Sequence, residues 1–131
     1  MQLIEPTDAE QAVIDELSAR GFSIATVIPD PLPSGFQRVV AVGGIQRDLV
    51  TDTPTLVVES FHKQESTAAQ NANRMLAILQ AAVREQHLGD ETAYRLQIVA
   101  LPQNYPLPTV PSHKRYVFTI APDIRRRVTT I

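Results

Sequence analysis

Between Arg38 and Phe61 the chain runs RVVAVGGIQRDLVTDTPTLVVESF, and this stretch limits what the remainder can form. Two apolar, β-branched runs, residues 39–42 and 56–58, flank a polar connection carrying Gly43-Gly44 and Thr51-Asp52-Thr53-Pro54. The pattern predicts two strands joined by a long arm. A lone strand pair is marginal in water, so the flanking segments must complete a sheet and cover it.

They have the means. Thr7 followed three positions later by Glu10 makes a capping box, and Asp8 adds negative charge where the helix dipole is positive. A helix is predicted there, with Ala9, Ala12, Val13 and Leu17 on one face and Gly21 as its stop. Residues 22–28 read as a strand closing in the stiff loop PDPLPSG. After the strand pair, Ser66 or Thr67 can cap a long helix reaching about Leu88 and stopping at Gly89. Its apolar stripe is Ala72, Leu76, Leu79 and Val83, widened by Met75 and Ala82, while Ala77 and Ala81 on the polar side permit close approach of a neighbour. Residues 94–101 alternate as a strand with Tyr94, Leu96, Ile98 and Ala100 on one face. A second proline-dense connection, containing Tyr105 and Leu107, leads to a last strand over residues 115–121. Residues 122–131, with Pro122 and three consecutive arginines, read as a flexible tail. The order of elements predicts an α+β fold, a mainly antiparallel sheet with two helices on one face and a long β-hairpin arm.

At 131 residues this is one domain. Twelve basic against 14 acidic side chains give no global attraction to nucleic acid or to an anionic membrane. The chain has no cysteine, which removes disulfides and thiolate chemistry. His62, His87 and His113 lack any short-range ligand spacing, so neither metal nor cofactor is expected. No secretion signal or membrane span is expected either. Asp48, Asp52 and Glu59 are raw material for acid–base or metal-assisted hydrolysis only if two of them converge. Arg125, Arg126 and Arg127 make the only basic run, read as a solvated terminus.

The arm is the more distinctive feature. Ile45, Leu49 and Val50 are too apolar for a solvated loop, so residues 45–53 either fold back on their own sheet or meet a partner. With no catalytic signature present, the composition favours an assembly protein over an enzyme.

At this arm the sequence resembles the tail terminator proteins of long-tailed bacteriophages, particularly those infecting actinobacteria. The resemblance rests on Arg38-Val39, Gly43-Gly44, the arm Arg47-Asp48-Leu49-Val50-Thr51-Asp52, then Pro54-Thr55-Leu56 and Val58-Glu59, with Arg115-Tyr116-Val117-Phe118-Thr119 near the end. It implies a closed ring of six copies that caps the tail tube protein, stops its polymerisation and offers a surface to a neck or head-completion protein. The protein would then sit at the tail–neck junction of the virion and in the host cytoplasm during assembly. On that reading Ile45, Arg47, Leu49, Val50 and Thr51 meet the tube or a neighbouring subunit, and Tyr105 and Leu107 meet the second partner. Genomic DNA would pass through the lumen without sequence-specific binding, so acidic or neutral groups should line it, with Asp48, Asp52 and Glu59 as candidates. A neck connector of the same virion shares this logic; a small hydrolase is the enzyme alternative.

Overall fold

The computed structural model describes residues 1–131. In chain order the elements are β1 (Gln2–Glu5), α1 (Ala9–Ser18), β2 (Ile24–Ala25), β3 (Gly35–Gln46), β4 (Thr51–His62), α2 (Glu65–Arg84), β5 (His87–Leu88), β6 (Glu91–Asn104), β7 (Lys114–Arg125) and β8 (Arg127–Thr130). The fold is α+β. Six strands form one curled sheet in the order β2-β3-β4-β7-β6-β5, antiparallel except where β2 meets β3, and β1 and β8 form a separate antiparallel pair.

Both helices lie on one face. The stripe Ala9, Ala12, Val13 and Leu17 of α1 is buried, as are Ala72, Met75, Leu76, Leu79, Ala82 and Val83 of α2. They close over Val39, Leu56, Val58, Phe118 and Ile120, the strand positions pointing the same way. Each such aliphatic side chain removed from water stabilises the fold by about 1.5–3 kcal/mol before entropy is counted. Ala77 and Ala81 are exposed on the outer side of α2.

Several boundaries differ from those predicted, each for a local reason. The cap of α1 is Asp8, whose Oδ1 accepts the Gln11 N–H at 3.0 Å. Thr7 instead donates to the Arg125 carbonyl at 2.8 Å, and Glu10 accepts the Ala41 N–H at 2.7 Å, so both capping-box residues tie the helix to the sheet. The strand predicted over 22–28 shrinks to two residues. Helix α2 starts at Glu65 and ends at Arg84, where Gln86 takes φ +63° and releases His87–Leu88 as β5. Gly89 then turns the chain so close to α1 that a Cβ would lie 2.9 Å from the Ala12 carbonyl oxygen.

The largest difference is at the C-terminus. Residues 122–131 are not a loose tail: 122–125 complete β7, and β8 pairs residue for residue with β1, Leu3 opposite Thr129 and Ile4 opposite Val128. Pro122 and Pro54 are tolerated inside strands because the β4–β7 ladder is interrupted between the Leu56–Ile120 and Asp52–Ile124 pairs, where neither proline has an N–H to offer. The β3 bulge between Ala41 and Gly44 continues the same line, as does the β6 irregularity between Ala93 and Arg95. A seam of broken pairing therefore crosses the sheet and bends it. That last bulge also turns Tyr94 outward and places Ala93 in the core, against the simple alternation.

Candidate functional site

The arm is shorter and firmer than the sequence implies. Pairing of β3 with β4 runs on to Gln46 and Asp52, leaving only Arg47-Asp48-Leu49-Val50 as the turn. The Asp48 carboxylate accepts the Val50 N–H at 2.9 Å, and the Thr51 carbonyl accepts the N–H groups of Arg47 and Asp48. From the C-terminal side the Arg126 N–H donates to the Val50 carbonyl at 2.7 Å. The turn is thus held from both flanks, and it presents Ile45, Leu49 and Val50 to solvent, Leu49 at 77% exposure.

The other predicted contact residues divide. Thr51 is buried and contributes a backbone carbonyl rather than a contact surface. Arg47 is half exposed and turns back to Asp123 at 2.7 Å. Tyr105 is exposed and lies over Arg115, its ring centroid 5.2 Å from the guanidinium carbon. Leu107 packs instead against a small second cluster of Phe36, Phe61 and Val110. There the two proline-rich connections meet: Phe36 and Phe61 stack with centroids 4.5 Å apart, and buried His113 reaches the Pro33 carbonyl at 2.7 Å and Ser112 Oγ at 2.8 Å. His113 is a buried clasp between loops, not a solvated side chain.

The three acidic candidates do not come together. Asp48 is at the exposed turn. Asp52 is paired with Arg126 at 2.9 Å. Glu59 is 2% exposed, with Arg38 Nε at 2.5 Å on one oxygen and Arg115 Nε at 2.9 Å on the other, so it is an internal counter-ion and not a free group for a channel wall. Glu59 lies seven positions after Asp52 along β4, an odd offset that places them on opposite faces of the sheet, so the acid pair required for hydrolysis is not formed.

What the sequence did not reveal is a repeated device on the sheet face opposite the helices. Glu59 lies between Arg38 and Arg115 at one end. At the other, Asp123, 5% exposed, accepts Thr53 Oγ1 at 2.6 Å and lies 2.7 Å from Arg47 and 3.8 Å from Arg95. Each carboxylate is shared by two arginines, so each group carries net positive charge, at the surface around Asp123 and mostly buried around Glu59. On the helix side, partial burial and a hydrogen bond to the Glu65 carboxylate push the Tyr116 phenol above its ordinary value. The Arg127 guanidinium is raised for the opposite reason, its charged form being favoured by a hydrogen bond to Glu91 and by the negative charge of Glu91, Asp90 and Asp8, against a lowering by desolvation.

No protein-family model matches this chain, and no curated protein matches it significantly.

Proposed function

We propose that this protein is a ring-forming structural component of a long-tailed phage, of the tail terminator type. In this role it caps the head-proximal end of the tail tube, stops tube growth and receives a neck or head-completion protein. The observation that carries the reading is the placement of two exposed surfaces at opposite ends of one hairpin. The apolar turn at Ile45, Leu49 and Val50 closes the far end of β3 and β4, whereas the proline-rich connections around Tyr105 gather at the near end beside Phe36 and Phe61. Twelve-residue strands separate these ends by about 35–40 Å. A subunit that must recognise one partner above and another below needs such a rigid spacer.

Asp48 remains the channel-facing candidate. Asp52 and Glu59 are already neutralised by arginines and have no part in the proposed lumen. The neck-connector reading uses the same two ends and differs in its partner.

The test is an early stop codon in this chain within its parent genome, with electron microscopy of the lysate. Overlong or aggregated tails beside filled, unattached heads are expected. Tails of normal length that stay unattached would select the neck connector, and intact infectious particles would remove the protein from assembly.

A further inference from the structure

We infer that copies of this chain associate head to tail through the faces of the sheet, the arginine-bearing bare face of one subunit seating on an acidic groove on the helix side of the next. The inference deepens the ring proposed above and rests on it only for closure of the cycle.

The edges of the sheet are guarded. Beyond its two-residue pairing with β2, strand β3 has its Ala41 N–H taken by Glu10 and then bulges at Gly43-Gly44. Past its short contact with β5, strand β6 carries three register shifts and Pro102. Bulges, a proline and a capped N–H are the devices by which sheets resist pairing at their edges. Association must use the faces.

The bare face is positive. At its far end exposed Arg47, Arg95 and Arg125 stand around the single buried carboxylate of Asp123, whereas the Arg38–Glu59–Arg115 group at the near end is largely buried, with Arg115 under the Tyr105 ring. The whole chain has more acidic than basic side chains, so the acidic excess lies elsewhere. Part of it lines a groove of about 220 Å³ between α1 and the β5–β6 turn, where Asp8, Asp15, Asp90 and Glu91 surround Arg127 alone. That groove is opposite in sign to the arginine surface and lies on the other face of the sheet.

Height decides the match. Rotation about an axis parallel to the strands shifts nothing along that axis, so patches that meet in a cyclic ring must lie at one level. They do: Arg95 pairs with Asp123, and Ala93, two residues from Glu91, pairs with Ile124 beside Arg125. Such a ring leaves the guarded edges on its inner and outer walls and the hairpin ends on its two axial surfaces, so Asp48 in the turn would face the mouth of the channel rather than its wall.

The experiment is sedimentation equilibrium of the full chain, up to a few hundred micromolar, for wild type, Arg125→Glu, Asp90→Lys and the double variant. Wild type should self-associate, more weakly as salt rises. Each single variant should weaken association at least tenfold with an unchanged urea midpoint. The double variant should recover it, and the two single variants mixed should form pairs. A monomeric wild type, neutral single variants or a double variant no better than the singles overturns the inference. The stop-codon lysate decides the capping function independently, so a failed face contact and a failed capping role give different results.

Discussion

Gly44 sits directly across the hairpin from Pro54, so close that a Cβ on Gly44 would fall 2.5 Å from the Pro54 Cα and 2.5 Å from the Thr53 carbonyl oxygen. Its φ of +132° is also one that other residues rarely adopt. Neighbouring Gly43, at φ +107°, has nothing within 4 Å of its Cβ position. Gly43→Ala should therefore cost only the backbone strain, about 1–3 kcal/mol. Gly44→Ala adds a collision with backbone atoms and should cost clearly more. Urea unfolding of the pair measures the difference; equal midpoints would show that the bulge shifts freely and that the hairpin end is not rigidly set.

The shared carboxylate at Glu59 makes a second prediction. Glu59→Gln keeps the shape and removes the charge, leaving Arg38 and Arg115 facing a neutral amide. Breaking a buried pair from one side costs about 3–5 kcal/mol, and the retained hydrogen-bonding capacity of Gln brings the expectation to the lower end. Since the remaining strain is repulsion between two guanidiniums, part of the loss should be recovered in 1 M salt. A loss below about 0.5 kcal/mol would mean that the arginines relax into solvent.

Where periodicity is local, the sequence sufficed. The stripes of α1 and α2 and the hairpin itself follow from spacing alone, and every stripe residue is buried. Boundaries depended on tertiary partners. Thr7 and Glu10 satisfy a capping rule yet bond to Arg125 and Ala41, because the adjacent sheet offers unpaired groups and Asp8 can cap instead. In the tail, the apolar even positions Phe118 and Ile120 continue at Ile124, a signal masked by Pro122 and by the arginine run. The ion pairs were beyond reach: Arg47 meets Asp123 across 76 positions and Arg126 meets Asp52 across 74. Only the register of β4 against β7 brings them together.

That register predicts how the terminus should behave. Removing residues 127–131 deletes β8 and the exposed Arg127–Glu91 pair, which is worth little. Amides of Gln2–Glu5 should lose hydrogen-exchange protection while the core keeps its urea midpoint, since β1 and β8 pair only with each other. Arg126→Ala should act at the other end of the link, exposing Asp52 and speeding exchange at the turn. If the truncation unfolds the whole chain, the small sheet is part of the cooperative core.

Leu49 is the residue on which the proposed capping role turns. At 77% exposure it makes little contribution to the fold, so Leu49→Asp should leave stability within about 0.5 kcal/mol. An apolar anchor replaced by a charge would have to be desolvated against the tube rim, so binding should fall by a hundredfold or more. The measurement is capping of preformed tubes of the cognate tail tube protein, seen by electron microscopy, with the urea midpoint recorded for the same preparation. An intact midpoint with lost capping places the tube contact at the hairpin turn. An intact midpoint with full capping moves it to the opposite end, where Tyr105→Ala becomes the discriminating variant, because Tyr105 is the exposed aromatic there and its loss removes contact area while leaving the Phe36–Phe61 stack in place.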